Sequence, residues 1–419
     1  MRTKASFTKD AREAVRKGDA VNGVKGVLPF MMLQYIDPST VFPVDWMHCV
    51  LLGVCKSLMS FWLNAKYKQK DFFIGDRMSL LNKRLLSIVV PDFVARKPRG
   101  MEDHAHWKAS ECREWLLHFS VPVLHGILPP IPYVHYLLLV TAITFLTKYG
   151  VTLAEVDQAM KLLEEFLKLY PLIYGRESQT MNVHLLKHLV FYVRQFGPLY
   201  TFSCFGFESM NCFIKNMVHG TRHVNNQICF AVGMSKQLAP LITRIINASD
   251  MMIGALAKRL GKKFLMENKL ESQGDKIEPL GCSTNVQGNN CHYNLLTEVM
   301  KRSSPKLYLR VQKGDTVYYS KEYRRAKTFN AYSVCFLKNG NEKGFGIILC
   351  FIKVNNEVFA VMDVCETKPF TLEVTMLDTL CDVSATLQSL TDRLCPHFVH
   401  ILSQNRKRLV NVKSLLMKC

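Results

Sequence analysis

The sequence predicts an α+β protein, mostly helical, with its strands gathered toward the C-terminal end. Three observations predict this. From about Val44 to Leu260 apolar residues recur at three- and four-residue spacing and prolines punctuate the runs. From Lys306 to Val364 the apolar period shortens to two. Between these regions, residues 267–294 turn polar and rich in Gly, Asn and Ser, the composition of a linker. With 419 residues at 48% hydrophobic content, the chain can bury at least one large core.

Element by element, residues 1–40 form a polar, partly helical lead-in that ends in a turn at Asp37-Pro38-Ser39. Pro43 then opens a helix from Val44 to Lys66, on which Val50, Leu51, Val54, Leu58, Phe61 and Trp62 fall on one face. Further helices are expected over Met78–Val90, Trp107–Phe119, Tyr133–Tyr149, Leu153–Tyr170 and Asn182–Phe196. Breaks are expected at Pro91, Pro98, Pro122, Pro129 to Pro132 and Pro171. Thr152-Leu153-Ala154-Glu155 has the form of a capping box. Two more helices follow, Phe207–Val218 and Asn225–Leu260. Beyond the linker, strands are expected over Lys306–Val311, Thr316–Ser320, Tyr332–Leu337, Phe345–Lys353 and Glu357–Val364. Turns at Lys338-Asn339-Gly340-Asn341 and Val354-Asn355-Asn356-Glu357 carry hairpin chemistry. Together they suggest a small antiparallel β-barrel over 295–375.

Composition narrows the function classes. Lys and Arg number 54 against 34 Asp and Glu, a formal net charge of +20. That excess favours a polyanionic partner, nucleic acid before anionic membrane. The 14 cysteines are scattered through apolar runs (Cys49, Cys55, Cys229, Cys350), where a thiol packs as a small hydrophobe, so reduced thiols are expected. The most apolar stretch, Tyr133 to Leu146, is shorter than the roughly 20 residues a membrane span needs. It reads as a buried helix, so no membrane partner is expected. No Gly-rich phosphate loop, Ser-His-Asp set or paired Cys-x-x-Cys occurs, and no small-molecule cofactor is expected.

Two segments carry the candidate site. In Val44-Asp45-Trp46-Met47-His48-Cys49, Asp45 precedes an apolar-periodic helix, as an ordinary N-cap would, with His48 in the first turn on the same face. In Phe205-Gly206-Phe207-Glu208-Ser209-Met210-Asn211, Glu208 stands near a helix start, where a carboxylate is favoured without any further role. His184 and His188 have chelating i, i+4 spacing but no third ligand nearby, and Cys282 with Cys291-His292 falls one ligand short of a zinc set. Glu111, in Trp107-Lys108-Ala109-Ser110-Glu111 with Arg113, is expected to pair locally. The basic residues Arg222, Lys258, Arg259, Lys262, Lys263, Arg406, Lys407 and Arg408 are candidates for phosphate contact.

The Asp45-x-x-His48 string, the run Gly197 to Glu208 and the Asn182-x-His184-x-x-x-His188 pattern together resemble the distal catalytic half of CACTA (EnSpm) type DNA transposases. These belong to the acidic-triad, RNase H-like class. The resemblance covers roughly residues 20–235. It implies an incomplete RNase H-like core interrupted by a large α-helical insertion. The remnant of that core would occupy 1–60 and the insertion 61–199. Helices of 200–266 would complete the core, followed by the linker, the barrel and a basic C-terminal segment over 376–419. It further implies that Glu208 is the third catalytic carboxylate and that Asp45 and His48 border the site. The cofactor it implies is Mg2+, held by Glu208 only if two further aspartates are supplied. Those aspartates belong upstream of Asp45, and Asp10, Asp19 and Asp37 lack the strand-like context they need. The expectation is a truncated, transposase-derived nuclear protein. It would bind DNA, with self-association allowed, and would lack strand cleavage on its own. The alternative is a domesticated, non-enzymatic DNA- or protein-binding module.

Overall fold

The computed structural model describes residues 3–33, 35–91, 94, 96–248, 253, 277–286, 293–314, 316–323, 330, 332–338, 342–368, 400–411 and 415–418. The chain is α+β, with helices from Lys4 to Ala248 and antiparallel sheets from Ile277 onward. It divides into two compact units. The described residues of the first fall within Met1–Ile88 and Arg96–Cys204; those of the second fall within Val89–Ala95, Phe205–Thr371 and Cys395–Cys419.

The first unit begins with α1 (Lys4–Lys17), capped by Thr3 and ended by Gly18 at φ 67°, a left-handed position that glycine occupies without steric cost. Asp45 then leads into a helix wound in two ways. Met47–Cys55 is π-helical and continues directly into α2 (Lys56–Leu63). π-Helix usually spans a single turn and often marks functional ground; here it runs for nine residues. Met47, Cys49, Val50, Leu51, Gly53, Val54 and Cys55 are all buried, so almost every side of the segment is packed. α3 (Met78–Leu86) and α4 (Ala109–Glu114) follow, and a second π-helical turn, Trp115–Phe119, runs on into α5 (Ser120–Leu124).

The centre of this unit is α6 (Pro130–Thr147), packed on α7 (Leu153–Tyr174), which packs in turn on α8 (Met181–Phe196). Among the described residues, α6 alone is long and apolar enough by composition to cross a membrane, but 78% of its apolar window is buried inside the structure. That agrees with the expected core helix. His135 lies within it, fully buried; its Nε2 is 3.0 Å from the Phe166 carbonyl and its ring stacks on Phe166 at 4.2 Å. Burial holds its pKa down at about 4, against a smaller opposing pull from the Phe166 carbonyl. The capping box expected at Thr152 forms, with the Glu155 N–H donating to Thr152 Oγ1 and the Thr152 N–H donating to Glu155.

Two proline breaks are corrected. The helix ending at Phe119 continues through Pro122 to Leu124, and α7 continues through Pro171 to Tyr174. Each proline removes one N–H bond from its helix, a loss that packing has to offset. Around Pro171, Tyr170 and Tyr174 are buried, Tyr174 stacks on Phe61, and the Trp62 indole N–H donates to the Tyr174 hydroxyl at 3.3 Å. That packing outweighs the lost bond.

In the second unit α9 (Phe205–Lys215) and α10 (Val224–Ala248) precede the strands. β1 (Ile277–Leu280), β4 (Arg310–Lys313) and β5 (Thr316–Tyr319) form one three-stranded antiparallel sheet. The other sheet is built on β7 (Glu342–Val354), which pairs with β6 (Ser333–Lys338) and β3 (Lys306–Tyr308) on one side and β8 (Glu357–Lys368) on the other. β2 (Thr284–Asn285), β9 (His400–Asn411) and β10 (Leu415–Lys418) extend it. The hairpin expected at Val354 to Glu357 forms with Asn355 at φ 53°, the left-handed position that asparagine tolerates.

The expected small barrel is corrected: among the described residues the two sheets are open and no barrel closes. The expected linker also contains β1 and β2, whose strands are too short to show a period of two. In the expected basic tail, His400–Asn411 is a strand, its alternation hidden by the run Gln404-Asn405-Arg406-Lys407-Arg408. Nothing described in the first unit is a strand; its one β-bridge joins Val21 and Val24.

Candidate functional site

The sequence route to the site starts at α8. Its first turn carries Asn182, and the other end of the helix delivers the chain to Cys204. Gly197, at φ 83°, ends the helix, and a tight turn over Leu199–Phe202 follows. Thr201 Oγ1 pins that turn by donating to the Phe196 and Pro198 carbonyls at 2.8 and 2.7 Å. At the other end, Asn182 meets the π-helical segment. Its carbonyl accepts from the Cys49 thiol at 3.2 Å, and its side chain lies so close to Gly53 that a Cβ there would stand 2.5 Å from Nδ2. Gly53 is needed because nothing larger leaves room for Asn182.

The result joins the lead of the π-helical segment to Cys204, 159 residues on. Asp45 Oδ1 accepts the Cys204 backbone N–H at 2.9 Å, and Oδ2 accepts the His48 backbone N–H at 3.0 Å. The His48 ring nitrogen Nδ1 sits 2.6 Å from the same Oδ2. Asp45 therefore does cap its helix, as the sequence suggests, while its second oxygen reaches a distant segment. Burial pushes its carboxyl pKa up, but the N–H bonds from Cys204, His48 and Met47 and the His48 ring outweigh burial and hold it below the usual value. Beside it, burial first and the Asp45 charge second raise the Cys49 thiol to about 12, so that thiol stays protonated. The side chain of Asp45 is 15% exposed and that of His48 58%, so the carboxylate is sheltered and the imidazole faces solvent.

One donor atom from each of Asp45, His48 and Cys204 lies within 4.8 Å of the others. The sequence gives Asp45 and His48 but misses Cys204, because one cysteine in an aromatic run carries no ligand spacing. Asn182 and Gly53 are likewise invisible as partners until the helices pack.

The other sequence candidates are not part of this three-residue group. Glu208 is exposed in the first turn and a half of α9, which has no buried residue and belongs to the second unit. Arg222 is exposed in a turn whose backbone is held by Gln227: the Gln227 amide donates to the Arg222 carbonyl at 2.7 Å and accepts the His219 N–H at 2.9 Å. Lys258, Arg259, Lys262 and Lys263 lie outside the described residues. Arg406, Lys407 and Arg408 sit in β9, in register with Val364, Asp363 and Met362 of β8. His184 and His188 face each other with ring centroids 5.3 Å apart, and among the described residues no third ligand joins them. Glu111 pairs locally as expected, with Arg99 Nε at 2.7 Å and the Lys108 N–H at 2.8 Å.

The three-residue group does not fit Mg2+. That ion takes an octahedron of hard oxygen ligands, whereas Asp45, His48 and Cys204 offer one carboxylate, one imidazole and one thiol. Asp10, Asp19 and Asp37 add no carboxylate to it. Asp10 accepts from Asn22 at 3.2 Å, Asp19 from the Ala20 N–H, and Asp37 from the N–H and hydroxyl of Ser39.

No family model, curated protein or solved structure matches the chain.

Proposed function

We propose that this is a transposase-derived protein of the CACTA type that binds DNA and does not cleave it unaided. The observation that carries the reading is the hydrogen bond from the Cys204 N–H to Asp45 Oδ1. The two segments bearing the resemblance are distant in sequence, and this bond ties the Asp-x-x-His string to the residue directly ahead of the helix that holds Glu208. A shared ancestry with an acidic-triad enzyme explains why a helix cap should also reach across the fold to that second segment.

The missing activity follows from ligand chemistry. Metal-assisted phosphodiester cleavage needs several carboxylates converging on two ions about 3.5–4 Å apart. Asp10 and Asp37 are engaged locally with Asn22 and Ser39, and Asp45 is the one carboxylate in its three-residue group. DNA binding rests on the net charge of +20 and on the basic run at Arg406 to Arg408.

The experiment is a paired assay on the full chain with linear and supercoiled duplex. The expected result is a retarded complex in a gel shift and no nicking in Mg2+ or Mn2+. Absence of any complex at low salt overturns the DNA reading. Nicking that disappears in Glu208→Gln overturns the claim of inactivity and supports the ancestry more strongly than binding does.

A further inference from the structure

The donor set at the start of the π-helical segment is wrong for magnesium but right for another class of ion. We propose that Asp45, His48 and Cys204 bind a single borderline-soft divalent transition metal, of which Zn2+ is the physiological candidate. Their donor atoms already lie within 4.8 Å of one another. A tetrahedral Zn2+ with bonds of about 2.0 Å to N and O and about 2.3 Å to S holds its ligand atoms roughly 3.3–3.7 Å apart. The cluster therefore needs its donor atoms to close by no more than about 1.5 Å to receive the ion.

The contacts around Asp45 support the geometry. Asp45 Oδ2 and His48 Nδ1 are 2.6 Å apart, closer than two ligands of one ion, so the metal replaces the proton shared between them and the pair opens by about 0.7 Å. The backbone bonds from the Cys204 and His48 N–H groups hold Asp45 in place whether or not the ion is there. Cys204 is a thiol outside any disulfide, and thiolate with imidazole selects Zn2+ or Co2+ over Mg2+ and Ca2+. The exposed imidazole leaves a solvent-facing side, where water completes the fourth position. Binding releases the Cys204 thiol proton, so affinity falls as pH falls. The bound ion would link segments 159 residues apart and lock the start of the π-helical segment to the chain ahead of α9.

The test is titration of the full, reduced chain with Co2+, followed by competition with Zn2+. The expected result is one equivalent bound, with tetrahedral visible bands and a near-ultraviolet thiolate-to-cobalt band. Cys204→Ser removes the near-ultraviolet band, and His48→Ala weakens binding by about tenfold or more. Cys212→Ser, an exposed thiol on α9, leaves both unchanged. In parallel, Zn2+ raises the thermal unfolding midpoint of the parent chain by a few degrees, but not that of Cys204→Ser. Circular dichroism of each variant separates lost ligation from lost folding. Absence of saturable one-equivalent binding overturns the proposal, as does a cobalt spectrum that survives in both folded Cys204→Ser and folded His48→Ala.

Discussion

Replacing Gly53 with alanine tests how the candidate site is positioned. Ordinary helix propensity predicts a gain of about 1 kcal/mol, because alanine is the better helix former. The structure predicts the opposite sign. The added Cβ would stand 2.5 Å from Asn182 Nδ2, 2.7 Å from its Cγ and 2.9 Å from its Cβ. Rotating the amide away relieves the first two contacts, but the third is anchored to the α8 backbone and forces the two helices apart. Overpacking costs about 1–3 kcal/mol, and a clash fixed to the backbone falls in the upper part of that range, about 2–3 kcal/mol, so a net loss of about 1–2 kcal/mol remains after the propensity gain. The assay is urea unfolding followed by tryptophan fluorescence. All four tryptophans, Trp46, Trp62, Trp107 and Trp115, lie in the first unit, so the signal reports that unit alone. Adding Asn182→Gly should recover most of the loss, giving a favourable coupling between the two sites. A Gly53→Ala variant as stable as the parent or more so, or a double variant with no coupling, would refute the reasoning.

Two further outcomes follow from the same unit. Asp45→Asn keeps the shape but gives up the charge behind three contacts and should cost about 2–3 kcal/mol in the tryptophan-monitored transition. Because the folded Asp45 pKa lies below the ordinary aspartate value of 3.8, its contribution is present above that value and is lost as pH falls through the folded pKa; Asp45→Asn should flatten that acid limb. His135 acts in a higher window. Unfolded, it takes a proton near pH 6.5; folded, only near about 4. Between these values the unfolded chain holds more protons, so stability should fall on acidification from pH 6.5 to 4, by about 3 kcal/mol in total. His135→Leu should remove that slope, and a slope unchanged in this variant would count against the buried neutral imidazole.

The helical half of the fold was legible because α6, α7 and α8 bury continuous apolar faces at helical spacing, and caps such as Thr152 announce their ends. What was not legible depends on neighbours. Pro171 reads as a stop until Tyr170 and Tyr174 are seen packing around it. The π-helical winding of Met47–Cys55 leaves no mark on the apolar period, since seven of its nine residues are buried and no single face stands out. The strand β9 is hidden because charged residues interrupt its alternation, β10 because it is only four residues long, and strand count alone does not separate a closed barrel from open sheets. At the candidate site, Asp45 and His48 were visible because a cap and its first turn are local. Cys204 was not, because its partner is 159 residues away.

The central claim, that this chain descends from a DNA-handling enzyme and still grips the phosphate backbone, is tested most directly by its salt response. Fluorescence anisotropy with a short duplex, repeated across sodium chloride concentrations, gives the slope of log affinity against log salt. Each phosphate neutralised contributes about −0.9 to that slope. A slope of about −3 or steeper is expected, made shallower when Arg406, Lys407 and Arg408 are replaced by glutamine. A slope near zero, or no binding at low salt, would contradict it.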